Sequence, residues 1–196
     1  MLYQGVNYIW YNNYMPTTPE PTSNATLNRL RAAVLGANDG IVSTASVLMG
    51  VAGANANARV LFTAGLAALV AGALSMAVGE YVSVSSQRDA EKVNSKLSEE
   101  HSDDTEYTNP WHAAIASLVA FTIGGLIPFI AVIIAPGNIK IPATVVAVVI
   151  ALIITGYFSA AISGASRLRA VSRVIAGGLL AMAITYFIGA AFGTFV

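Results

Sequence analysis

Residues 30–53 read LRAAVLGANDGIVSTASVLMGVAG, a run with only two charged residues, Arg31 and Asp39. A helix of about 20 mostly apolar residues crosses a bilayer, so this run is long enough to span a membrane. A carboxylate near the centre of a span costs about 2.5–3.5 kcal/mol on insertion scales and typically marks an ion path or a proton relay. The alternative is a carboxylate held by neighbouring helices or a local kink. The run therefore predicts a transmembrane helix with a functional acid, Asp39.

The composition of the whole chain is that of a membrane protein with several spans. Of its 196 residues, 56% are hydrophobic and only 10% are charged, whereas soluble domains carry about 25% charged residues. Acidic and basic residues are equal in number, which argues against a nucleic-acid partner. The chain has no cysteine, which excludes disulfides, thiolate metal sites and cysteine nucleophiles.

Five apolar segments predict an all-α membrane fold. They cover residues 30–53, 60–84, 111–135, 141–163 and 171–195. Helices satisfy their own backbone in lipid, and these segments lack the alternation of barrel strands. We predict a disordered polar and aromatic tail at residues 1–26 and a five-helix transmembrane domain at residues 27–196.

The basic residues predict the orientation of these spans. Arg59 and Lys140 fall on one side, and the other eight fall on the opposite side: Arg29, Arg31, Arg88, Lys92, Lys96, Arg167, Arg169 and Arg173. The positive-inside rule then places the N-terminus in the cytoplasm and the C-terminus outside. No basic, apolar leader is evident, which favours a microbial plasma membrane, with an organellar membrane as the alternative.

The second segment adds two candidate ligands to Asp39. Met76 and Glu80 are four residues apart and therefore share one helix face. A thioether beside carboxylates favours a transition metal over Mg²⁺ or Ca²⁺, so the three side chains predict a metal path if their helices pack together. The alternatives are that Met76 is a gap-filling apolar side chain and that Glu80 is a solvated charge at the membrane interface.

Five helices are few to enclose a polar pathway. We therefore predict a homodimer with the pathway between its subunits. Gly65, Gly72 and Gly79 recur every seven residues, and small residues at such spacing allow close helix contact. This pattern favours the first and second helices as the dimer contact.

The connection at residues 87–109 carries seven acidic and three basic residues. Such a segment raises the local concentration of cations if it lies at the mouth of a path. The alternative is an ordinary soluble loop.

Enzymatic classes find little support. An intramembrane serine protease needs a serine and a histidine on facing helices, but His112 follows Pro110 and Trp111 at a helix start. No Gly-rich loop followed by Lys-Ser or Lys-Thr is present. We predict a protein that is not an enzyme and carries no cofactor.

Three motifs resemble the vacuolar iron transporter family, which includes yeast calcium-cross-complementer-type and plant nodulin-21-like proteins. Residues 31–44 (RAAVLGANDGIVST) and 75–89 (SMAVGEYVSVSSQRD) resemble its first-helix and second-helix signatures. Residues 109–114 (NPWHAA) resemble the entry to its third helix. The resemblance spans residues 27–196.

The resemblance implies a five-helix protomer, a homodimer, and export of Fe²⁺ or Mn²⁺ from the cytosol in exchange for protons. It assigns the membrane metal site to Asp39 and Met76, and Glu80 matches a Gly-Glu-Tyr motif for which we infer a role at the cytoplasmic entrance. The chain departs from full-length iron transporters because its connection lacks their long Glu- and Met-rich domain. Two alternatives are a transporter or channel for another cation, such as Ca²⁺, and a membrane scaffold that transports nothing.

Overall fold

A computed structural model describes residues 24–97 and 108–193 of the chain. They form five long helices: α1 (Asn24–Gly53), α2 (Ala58–Leu97), α3 (Pro110–Ile134), α4 (Lys140–Ser163) and α5 (Arg167–Phe192), with a short 3-10 turn (Gly137–Ile139) before α4. Each long helix is apolar over a stretch sufficient to cross a membrane. The predicted all-helical class and the five spans are therefore confirmed for the described residues.

Helices α1 and α2 extend furthest beyond the predicted spans. Helix α1 begins at Asn24, within the segment assigned to the tail. Helix α2 has 40 residues, a length of about 60 Å at 1.5 Å per residue, so it is much longer than a bilayer core of about 30 Å. Its last turns form the first part of the acidic connection. The rest of that connection (residues 98–107) and of the tail (residues 1–23) lies outside the described residues.

Helix α1 is the centre of the bundle because it contacts each of the other four helices. Its glycines let it approach α3 backbone to backbone. A Cβ atom on Gly36 would lie 2.6 Å from the carbonyl oxygen of Ser117, and one on Gly40 would overlap the carbonyl of Phe121. From the other side, Gly124 sits directly against the backbone of Ala37. This close contact fixes the face that α1 turns towards α2.

The other half of α1 packs against α5 in the same manner. Gly189 lies against the carbonyl of Gly50, and Gly53 lies against the carbonyl of Tyr186. Small residues at helix contacts are the usual route to close packing within a membrane. Helix α1 is thus held along its whole length.

The glycines of α2 serve a contact inside the chain. A Cβ atom on Gly72 would meet the ring of Phe121, and one on Gly65 would lie 2.7 Å from the ring of Phe129, both on α3. A Cβ atom on Gly79 would meet nothing within 4 Å. Two of the three glycines are therefore covered by α3 of the same chain, and the homodimer stays a prediction.

One end of the bundle carries six arginines and is called the arginine-rich end below. They are Arg29, Arg31, Arg88, Arg167, Arg169 and Arg173. Polar contacts tie the helices together there: the Asn28 amide donates to Gln87 at 3.4 Å, and the Thr108 hydroxyl donates to Glu91 at 3.2 Å. The start of α1, the end of α2 and the start of α3 are joined by these contacts.

Candidate metal-binding groove

An open groove of about 310 Å³ lies between α1 and α2, with α3 as its floor. It is lined by Asp39, Ser43, Val47, Ala68, Gly72, Ser75, Met76, Gly79 and Phe121. Asp39 lies near the midpoint of the 30-residue helix α1. Two of the three predicted metal ligands, Asp39 and Met76, thus face the same space at the middle of a membrane-spanning helix.

Helical periodicity explains which residues line the groove. On α1, Asp39, Ser43 and Val47 are spaced by four residues, so they form one stripe. On α2, Ala68 and Gly72 lie on the same stripe as Met76, because these three residues are also spaced by four. Small side chains at these two positions keep α2 from filling the space in front of the carboxylate.

The Asp39 carboxylate is oriented by its own helix. The hydroxyl of Ser43, one turn along α1, donates a hydrogen bond of 2.6 Å to Asp39 Oδ1. No donor to Oδ2 is found among the described residues. Sequence reasoning missed Ser43, although its spacing of four residues from Asp39 was the available signal. Ser75, next to Met76 in the groove, was missed as well.

Met76 combines packing with exposure to the groove. It is half-buried and packs against the buried cluster of Leu69, Ala73 and Phe121, and it also lines the groove opposite the α1 stripe. The apolar interpretation of Met76 and the metal-ligand interpretation are therefore compatible with one side-chain position.

Glu80 lies elsewhere, one turn from Met76 towards the arginine-rich end. Its Oε2 atom is 3.3 Å from Nη2 of Arg31, and the Glu80 side chain is only 6% exposed against 52% for Arg31. The interpretation of Glu80 as a solvated charge is wrong, because a cross-helix ion pair accounts for its buried carboxylate. Glu80 is not among the residues that line the groove.

Within residues 24–97 and 108–193, no group of three His, Cys, Asp or Glu side chains is placed to hold a metal ion. What a single chain offers in the groove is one carboxylate, one thioether and two hydroxyls.

The two motifs that contain Asp39 and Met76 lie within a region that matches a known protein family. A sequence model of the VIT family matches residues 30–105 and 92–190. The chain belongs to the VIT family. The resemblance inferred from its motifs is confirmed.

Several plant relatives match this VIT-family chain over most of their length. It is 45% identical over 159 residues to vacuolar iron transporter homolog 3 of Arabidopsis thaliana, which covers 80% of each chain. It is 43% identical over 158 residues to vacuolar iron transporter homolog 2 of the same plant, covering 80% of this chain and 81% of the relative. Vacuolar iron transporter homolog 5 of Oryza sativa subsp. japonica is 42% identical over 165 residues, covering 83% of this chain and 79% of the relative.

Proposed function

We propose that this VIT-family protein transports a divalent transition metal, Fe²⁺ or Mn²⁺, out of the cytosol through the groove between α1 and α2. The observation that carries the proposal is that Asp39 and Met76 line this groove together near the midpoint of α1. The names of the plant relatives, which call them iron transporter homologues, support the same class of substrate.

The chemistry of the two groups favours a transition metal over Ca²⁺. A carboxylate oxygen binds hard and borderline cations alike, whereas a thioether adds affinity only for the softer ones. Fe²⁺ gains from both groups, and Mn²⁺ gains more from the oxygen. The metal is the substrate of the protein, and the proposal needs no resident cofactor and no catalytic step.

A second copy of the chain would complete the pathway. The groove is open on one side, and α2 exposes Leu74 and Val78 beside it, 56% and 63% exposed. A two-fold axis next to the groove would bring two copies of Asp39 and Met76 to one path and supply the ligand number that metal cations require. We therefore propose a homodimer with the path between subunits.

The direction of transport rests on the arginine-rich end. The positive-inside rule places that end in the cytoplasm, so a cation leaving the cytosol passes the Arg31–Glu80 pair before it reaches Asp39. The Asp39 carboxylate binds the metal in one state and a proton in the other, which couples export to proton entry. We propose a vacuole-type organellar membrane as the location, because the relatives' names favour it over the plasma membrane expected from the sequence.

Flux into liposomes that enclose a metal-sensitive dye and a pH-sensitive dye tests the proposal. The purified protein is expected to admit Fe²⁺ and Mn²⁺, move protons in the opposite direction, and leave Ca²⁺ outside. Protein-free liposomes are the control. Flux of Ca²⁺ alone would identify a different cation transporter, and no flux of any of the three ions would identify a scaffold.

A further inference from the structure

A second and larger cavity opens on the opposite side of α1. It has a volume of about 560 Å³ and lies between α1, α4 and α5 at the arginine-rich end. The neighbours Asn38 and Asp39 face different spaces, since Asn38 lines this cavity and Asp39 lines the groove. Metal transport as proposed above makes no use of the second cavity.

The charges around the cavity favour an anion. Arg31 lines it, and the three helices that form its walls also carry the exposed or half-exposed Arg29, Arg167, Arg169 and Arg173 near the same end. The one acidic residue in these three helices is Asp39, which faces the groove. An anion that enters the cavity therefore meets the guanidinium group of Arg31 and no carboxylate from these three helices.

Much of the remaining cavity wall is apolar. Leu30, Val34 and Ile162 contribute aliphatic surface. The hydroxyls of Thr155 and Ser163 also line the cavity, but each already donates to a backbone carbonyl of α4. The part of the wall that α4 forms accommodates a hydrocarbon chain, because the hydroxyls of Thr155 and Ser163 are satisfied within their own helix.

We propose that this cavity binds an anionic glycerophospholipid, with its phosphate at Arg31 and an acyl chain between α1 and α4. Basic pockets between transmembrane helices on the cytoplasmic side are known to hold phosphate headgroups, and the volume falls in the range of about 300–1,000 Å³ typical of ligand sites. The contact of Arg31 with Glu80 uses Nη2, which leaves other guanidinium N–H donors for a phosphate.

An unpaired polar atom of Asn38, two turns along α1 from Arg31, also supports a bound ligand in this cavity. Asn38 Oδ1 is shielded from solvent and has no hydrogen-bond partner among the described residues. Buried polar groups are nearly always hydrogen-bonded, so a rotation of the Asn38 side chain that exposes Oδ1 to the cavity would let a lipid hydroxyl or a water satisfy it. The same lipid would hold Arg31 in place and, through Arg31, the buried carboxylate of Glu80.

Native mass spectrometry of the detergent-purified full chain tests the proposal, with dioleoyl phosphatidylglycerol as the anionic probe and dioleoyl phosphatidylcholine as its neutral counterpart. We expect phosphatidylglycerol to be retained with at least about fivefold higher affinity, the effect of one basic group at a headgroup. Arg31→Gln should remove this preference. Ser159→Phe should block binding without changing any charge, because Ser159 lines the cavity.

Arg169→Gln is the matched control, since it removes an arginine from the same end that does not line the cavity. It should leave the lipid preference unchanged. If Arg31→Gln fails to fold because Glu80 is left unpaired, two other variants test the proposal. The double variant Arg31→Gln/Glu80→Gln should lose the preference for phosphatidylglycerol, and Ser159→Phe should lose lipid binding. Equal retention of the two lipids, an equal loss in Arg169→Gln, or displacement of the lipid by millimolar inorganic phosphate would overturn the proposal.

Discussion

The hydroxyl of Ser43 donates a 2.6 Å hydrogen bond to the Asp39 carboxylate, inside the groove that Met76 also lines. Short O–H···O⁻ bonds of this kind are among the stronger hydrogen bonds in proteins. The bond holds one carboxylate oxygen against α1, while the other has no donor among the described residues. Ser43 therefore positions the residue that we propose binds the metal.

Replacing Ser43 with alanine should weaken apparent metal affinity without abolishing transport. Loss of one hydrogen bond to a charged group costs about 1.5–3 kcal/mol where it is fully used, so we expect a rise in the half-saturating Fe²⁺ concentration of about tenfold. Ser43→Thr keeps the hydroxyl and should retain most of the affinity. Ser46→Ala is the matched control on α1, because Ser46 is buried and does not line the groove; equal effects of the two alanine variants would refute the positioning role.

Replacing Met76 with leucine separates sulfur from volume. The variant should fold, reduce Fe²⁺ flux strongly, and reduce Mn²⁺ flux less, because the harder ion relies less on a thioether. Met49→Leu makes the same exchange at a buried position of α1 outside the groove and should leave both fluxes unchanged. Unchanged flux of every metal in Met76→Leu would mean that Met76 only packs against its cluster.

The Arg31–Glu80 pair should contribute to stability as a unit. Arg31→Gln leaves the Glu80 carboxylate, 6% exposed, without its charge partner, which should lower stability by about 1–3 kcal/mol. The double variant Arg31→Gln/Glu80→Gln removes the unpaired charge and should recover most of that loss. Melting temperatures in detergent measure both effects, and a double variant no more stable than the single one would argue against the pairing.

The proposed dimer can be tested by cysteine cross-linking, because the chain contains no cysteine. Val78→Cys, 63% exposed on α2, should form a disulfide-linked dimer in membranes because it lies beside the groove. Leu180, 62% exposed on α5, is the control position: Leu180→Cys should form no cross-link, since the proposed axis is far from that helix. Cross-linking at Leu180 but not at Val78 would place the contact elsewhere, and a monomer that transports fully would rule it out.

The sequence predicted those features that depend on local pattern. Five spans follow from long apolar runs, and they are found as five helices. The motifs that predicted family membership contain Asp39 and Met76, and these two residues do line one groove. That Asp39 and Met76 line the same groove depends on how α1 packs against α2, and the motifs alone do not determine this packing.

The features that were not predicted depend on helix packing. Arg31 and Glu80 are 49 residues apart, and nothing in either motif indicates that the guanidinium reaches across to α2. The glycine spacing on α2 predicted close helix contact, which is found at Gly65 and Gly72, but it did not predict that α3 is the partner there, because periodicity defines a face and not what covers it. Gly72 faces Phe121 of the same chain.

The role of Asp39 in metal transport is tested most directly by Fe²⁺ flux through Asp39→Asn in dye-loaded liposomes, with proton flux recorded in the same vesicles. Asparagine keeps the size of the side chain and its hydrogen bond with Ser43, but it removes the charge and the titratable proton. Metal flux and coupled proton flux are expected to disappear together in Asp39→Asn, while the variant stays folded and inserts at the wild-type level. Wild-type Fe²⁺ flux in the Asp39→Asn protein would show that this carboxylate does not carry the metal.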